Sequence, residues 1–153
     1  MKYLFVFVLI ITAINSIAQK NADAIIGKWE STDKYLIVEV YKQNKDFKSK
    51  IIWFYDEDDT ITPIAQRLDI NNPNKKLRSR TVLGTDVLSG LTYNAKQNKW
   101  VNGRIYDATS GKTWDATVWL NGTDSLFVRG FYLVRWFGKT LTFIKTTSIP
   151  SSP

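Results

Sequence analysis

The chain has 153 residues, with 21 Lys and Arg against 14 Asp and Glu for a net charge of +7, and it contains neither cysteine nor histidine. Without cysteine the fold cannot be stapled by disulfides and must hold by packing. Without histidine it lacks the side chain that most often titrates near neutral pH, and with it the usual nucleophilic triads and the usual zinc sites.

Lys2 precedes an unbroken apolar run, YLFVFVLIITAI, and the small residues Ser16 and Ala18 follow at signal-peptidase spacing. The run falls short of the about 20 apolar residues that a spanning helix uses. Residues 1–18 therefore read as a signal peptide cleaved before Gln19, and residues 19–153 as one periplasmic or secreted domain that does not span the membrane. No cysteine follows the run, which excludes a lipid anchor at that point. A basic exported protein meets anionic lipid and acidic envelope polymers rather than nucleic acid.

Beyond Gln19 the pattern is β nearly throughout. GKWEST (27–32), YLIVEVYK (35–42), FKSKIIWFY (47–55), a segment near 83–93, KWVNGRIY (99–106), KTWDATVWL (112–120), DSLFVRGFYL (124–133) and KTLTFIKT (139–146) mix β-branched and aromatic residues, several with period-two alternation. Turn residues separate them, among them Asn44-Lys45, Asp107 to Gly111 and Asn121-Gly122. About eight short strands joined by hairpins predict an all-β fold, a sandwich or a single antiparallel up-and-down barrel, and barrel closure would remove the exposed strand edges. Residues 56–82 break the rhythm with a polar connection containing Pro63 and Pro73, long enough to be a binding loop or a loosely packed insertion.

The stretch GRIYDATSGKTW (103–114) reads as a hairpin turn. Gly111 can supply the positive φ, Asp107 and Ser110 can bond backbone amides, and Ser110 has no histidine to activate it. Pairing Tyr106 with Lys112, and Leu120 with Ser125, would place Trp100, Asn102, Arg104, Trp114, Phe127, Arg129 and Phe131 on one sheet face. If that face lines the lumen, it forms an apolar cavity with two cationic anchors. If the smaller face of Val101, Gly103, Ile105, Asp115, Thr117, Val128 and Gly130 is the core, the arginines lie outside with their stems over tryptophans. The acidic run DEDD (56–59) could hold calcium but reads as a solvated face, and the DINNPN segment (69–74), despite its D-x-N start, lacks the glycine and distal glutamate of a calcium loop, so no metal and no cofactor is expected. The basic cluster KKLRSR (75–80) suits an anion such as a lipid headgroup.

IIGKWES (25–31), LDINNPNKKLRSRTVLGTDVLSGL (68–91), WVNGRIYDATSGKTWDA (100–116) and LFVRGF (126–131) occur in an order and spacing that resembles the bacterial domain of unknown function 2147. The resemblance implies a signal peptide and a small lipocalin-like barrel, and no established activity. Two positions depart from its pattern. Ala108 stands where a proline is common, and Phe143-Ile144-Lys145 stands where a tryptophan and an arginine usually close the last strand. Gly27-Lys28-Trp29 is similar to the first strand of lipocalins, in which a late arginine stacks on the tryptophan. Here only Lys145 could take that place.

The sequence thus predicts a monomeric, non-catalytic lipocalin-like barrel of about eight strands with one long loop, binding a small amphipathic or anionic ligand in its lumen or mouth. Trp100, Trp114 and Phe131 would form the wall, Arg104 and Arg129 the charge anchors, and Tyr106 a hydrogen-bond partner at the rim if it points inward. The alternative is a filled barrel that acts as a structural or interaction module of the cell envelope.

Overall fold

The computed structural model describes residues 21–57, 59, 61–131 and 138–150, so the expected signal peptide lies outside the described residues. Eight strands form: β1 (Gly27–Ser31), β2 (Leu36–Gln43), β3 (Asp46–Phe54), β4 (Asp86–Asn94), β5 (Lys99–Asp107), β6 (Lys112–Asn121), β7 (Ser125–Phe131) and β8 (Gly138–Thr146). Each pairs antiparallel with the next, and β1 pairs with β8 to close the barrel. This is the predicted all-β, up-and-down architecture, and the long connection falls between β3 and β4.

Closure brings Trp29 opposite Lys145, whose Nζ stands 5.4 Å from the Trp29 ring centroid. Lysine therefore takes the place of the stacking cation at the seam. One end of the barrel is plugged by a short 3-10 turn, Asp23–Ile25. Two buried indoles reach that segment: Trp29 Nε1 donates to Ile25 O at 2.8 Å and Trp100 Nε1 to Ala22 O at 2.9 Å. A buried indole needs such an acceptor, because an unmet N–H costs its full desolvation. Phe47 meets Trp100 edge-on, and Leu91, Val118, Leu126 and Phe143 complete a packed floor.

Two turns set the register in a way that the alternation alone does not reveal. The β5–β6 turn holds four residues, because Asp107 O accepts from Gly111 N at 2.8 Å and Asp107 itself pairs with Lys112. The β6–β7 turn holds three, with Asn121 opposite Ser125. Both pairings differ by one residue from those predicted, and a one-residue slip changes every cross-strand neighbour. Trp114 faces Ile105 rather than Arg104, and Arg129 faces Thr117 rather than Ala116. A β-bulge between Trp100 and Gly103, with Asn102 at φ 64°, adds a further change of phase. The predicted shared face therefore does not form. Trp100, Gly103, Ile105, Trp114, Ala116, Val118 and Val128 point inward, whereas Arg104, Phe127, Arg129 and Phe131 point outward.

A second bulge between Ile37 and Val38 turns the Ile37–Trp53 pair away from Val38 and Ile51. Both residues are buried, yet neither belongs to the contiguous core. Among the described residues, Trp53 Nε1 is a buried side-chain donor with no hydrogen-bond partner.

Gly103 lets the floor close. A Cβ there would stand 2.6 Å from Leu91 Cδ2 and 3.2 Å from Ala116 O. Gly103→Ala is expected to lower stability by about 1–3 kcal/mol, the usual cost of overpacking. Urea unfolding measures this, and an unchanged midpoint would show that Leu91 yields freely.

Candidate functional site

The end opposite the plug carries the β1–β2 turn, the β5–β6 turn and the connection between β3 and β4. That connection is not loose. Its first part is gathered around Arg67, whose Nη1 meets Asp56 Oδ2 at 2.8 Å and Asp59 Oδ2 at 3.1 Å, while its Nε donates to Thr62 O. The acidic run of this loop is thus partly neutralised by its own arginine. Among the described residues no group of three or more His, Cys, Asp or Glu could hold a metal ion.

Its second part, residues 68–82, is an antiparallel excursion. Leu68 bridges Thr81, and Asp69 N donates to Arg80 O while Val82 N donates to Arg67 O. At its centre lies Asp69, with no exposed surface. Asp69 Oδ1 accepts from Tyr106 Oη at 2.5 Å. Oδ2 accepts from Asn72 Nδ2 at 2.8 Å and from Arg80 Nε and Nη2 at 3.0 and 2.8 Å. The Arg80 guanidinium also lies 5.7 Å from the Tyr106 ring centroid. Burial pushes the Asp69 carboxyl up, but the bonds from Tyr106, Asn72 and Arg80 outweigh it and hold the group below the ordinary aspartate value. Tyr106 moves the other way, to about 12, through burial and then through its bond to the Asp69 carboxylate.

The GRIYDATSGKTW stretch is where this excursion docks. Asp107 Oδ1 and Oδ2 accept from Thr109 N and Ser110 Oγ, which shapes the turn. Asn71 Nδ2 donates to Thr109 O at 2.8 Å. Gly111 sits at φ 69°, and a Cβ on it would fall 2.0 Å from Asn71 O. Glycine is thus required both by the left-handed backbone and by the approach of the excursion. The polar residues of the stretch build a turn and a docking face.

Inside the barrel the mouth differs from the floor. Leu36 and Phe54, paired across β2–β3, and Ile105 and Leu141 pack against the core but stay half-buried. Trp114, opposite Ile105, is half-buried as well. Gly130 faces this group without a side chain: a Cβ on it would meet Ile105 Cγ2 at 3.4 Å and Trp114 Cβ at 3.9 Å. The result is a half-buried apolar inner wall toward the mouth, above a packed floor. Lys112 and Lys139 share the inner register of Trp114 and Leu141, two residues nearer the rim, and both are exposed.

The predicted site residues are therefore dispersed. Trp114 belongs to this inner wall, whereas Trp100 belongs to the floor. Arg104 lies outside, 59% exposed, with Nε 3.6 Å from Asp115 Oδ1. Arg129 lies on the same outer face, where its Nη1 reaches Thr140 Oγ1 at 3.4 Å, and Phe131 stands opposite Asp115. Tyr106 points to the excursion rather than the lumen. Sequence reasoning missed Asp69, Asn72 and Arg80 as a unit. The signal was the lone acid of the 60–85 stretch, set among asparagines and cations. An open cleft of about 620 Å³ also borders Arg80, lined by Tyr41, Lys50, Thr85 and Asp86. Its charges are already matched, Asp86 by Tyr41 Oη and Lys48 and Lys50 by Glu39, so it offers no free charge to a ligand.

A closed eight-stranded antiparallel barrel with a plugged floor, a half-buried apolar inner wall toward its mouth and a cation stacked at the closing tryptophan is a lipocalin-like barrel. The chain belongs to the family described as uncharacterized protein conserved in bacteria (DUF2147), whose model matches residues 27–145. It is similar to a solved structure entitled "Protein HP1028 from the human pathogen Helicobacter pylori belongs to the lipocalin family", with 26% sequence identity and a TM-score of 0.67 over 80% of this chain and 83% of that one. No curated protein matches the chain. The fold is of a kind that is typically non-catalytic and that suggests small-ligand binding in general. Among the described residues no helix is long and apolar enough to cross a membrane.

Tyr106→Phe removes a donor from a buried carboxylate and is expected to cost about 1.5–3 kcal/mol in urea unfolding. The pH dependence follows from the two shifts. Asp69, lowered in the fold, contributes stability above the ordinary carboxylate value of about 3.9, and this is lost as pH falls through its folded value. Tyr106, raised in the fold, contributes fully below about 10, and this is lost as pH rises toward 12. Hydrogen exchange of the 68–82 amides across this range should show protection failing at both ends. Uniform protection in acid would contradict the Asp69 clamp.

Proposed function

We propose that the protein is an exported binding protein that takes an amphipathic molecule with an anionic head, its apolar part in a cup at the mouth and its head at the rim. The half-buried inner wall of Leu36, Phe54, Ile105, Trp114 and Leu141 carries this reading, because apolar side chains that face inward without full burial are the usual lining of a small-molecule site. Lys112 and Lys139 stand where an anionic head would emerge. They replace Arg104 and Arg129, which face outward, as the charge anchors. Export rests on residues 1–18, and an N-terminus at Gln19 in protein recovered from the periplasm is its test.

The filled-barrel alternative fits the floor, where Trp29 and Trp100 are fully buried, and the half-buried wall toward the mouth supports the binding reading. Gly130 separates the two readings. Gly130→Leu would place a side chain across the cup while keeping an extended backbone. Titration with dodecanoate, followed by tryptophan fluorescence, should show binding to the natural chain and a loss of tenfold or more, about 1.4 kcal/mol, in the variant. Arg104→Ala with Arg129→Ala should leave binding unchanged. Equal affinity of the natural and Gly130→Leu proteins would place the ligand elsewhere.

A further inference from the structure

The 68–82 excursion has an outer surface that the cup reading does not use. Between Asp59 and Asp86 the sequence holds a single acid, Asp69, and that carboxylate is buried and matched by Arg80. Lys75, Lys76 and Arg78 follow one another around a 3-10 turn and are exposed. Among the described residues none of the three makes an ion pair, and Arg78 spends only its Nε, on Asn72 O. Beside them stand large apolar side chains in water: Ile70 is 64% exposed, Leu68 46% and Leu77 37%. Scattered exposed apolar residues need no explanation, but three within ten residues of sequence, on a segment that also carries three cations without an ion pair among the described residues, make that segment amphipathic.

That surface is also held in place. The bonds to Asp69, the Asn71–Thr109 bond and the seat against Gly111 fix the excursion to the β5–β6 turn at the barrel mouth. Its ordering cost is therefore met before any partner arrives.

We infer that residues 68–78 dock the barrel mouth on the surface of a bilayer containing anionic lipid. Ile70, Leu68 and Leu77 enter the headgroup boundary, and Lys75, Lys76 and Arg78 meet lipid phosphates. Charge complementarity selects an anionic surface, and the apolar side chains select a bilayer over a soluble acidic polymer. The inference stands on outer residues alone and survives if the cup proves empty.

The absence of cysteine makes a local test possible. Ile70→Cys, labelled with an environment-sensitive fluorophore, would report on the tip, and Thr142→Cys on the outer barrel wall would serve as control. With vesicles of phosphatidylglycerol and phosphatidylcholine, the residue-70 label should brighten and shift to the blue while the residue-142 label does not. Phosphatidylcholine alone should give no shift. High salt should reverse the shift, and Lys75→Gln, Lys76→Gln, Arg78→Gln in the labelled protein should weaken partitioning on the order of a hundredfold, from about fivefold per cation. No shift with anionic vesicles, or one indifferent to salt and to the three substitutions, overturns the inference. So does an equal shift with polyglutamate in place of vesicles, which would make the surface a dock for soluble acidic polymers.

Discussion

A carboxylate without access to water has to be met by donors on every side, and Asp69 is met by four nitrogen or oxygen donors from three residues. That constraint organises the mouth of the barrel. Without it, residues 68–82 would be a polar connection too long for a compact domain to order by backbone bonds alone. With it, the excursion is tied to Tyr106 on β5 and is carried onto Gly111, where only glycine admits it. A buried charge of this kind is weak evidence of net stability, because desolvation opposes its attraction to Arg80. Its effect is to select one position for the loop over many.

The barrel itself is divided along its axis. The floor uses the two indoles of Trp29 and Trp100, each tied to the N-terminal segment, to fill the interior with side chains. Toward the mouth the inner wall is formed by half-buried apolar residues around Gly130, which brings no side chain. A small eight-stranded barrel can be filled or hollow, and this one is packed with side chains at its floor. The seam between β1 and β8 is closed by Lys145 over Trp29, so the departure from arginine changes the donor geometry and keeps the charge.

Much of the fold was legible in the sequence. The predicted and observed strands agree within a few residues, since alternation and turn residues report on each strand separately. The inner face of β5–β7 was not legible. It depends on whether a turn contains three, four or five residues, and neither Asp107 nor Asn121 announces in sequence that it joins the ladder. The Trp100–Gly103 bulge carries no composition signal either, beyond Asn102 tolerating a left-handed backbone. Once the phase is off by one, Arg104 and Arg129 move from the lumen to the outer wall. The Asp69 network was invisible for a different reason: Tyr106 lies 37 residues from Asp69, and only the docked excursion joins them.

The central claim is that the mouth half of the barrel holds an amphipathic molecule. Native mass spectrometry of protein purified without denaturant from its own cells tests it most directly, followed by denaturation and identification of what is released. The account predicts a mass above that of the chain by one small amphipathic acid per barrel, recovered in the free fraction. A bare chain mass, with no uptake of an anionic apolar dye by the same preparation, would contradict it.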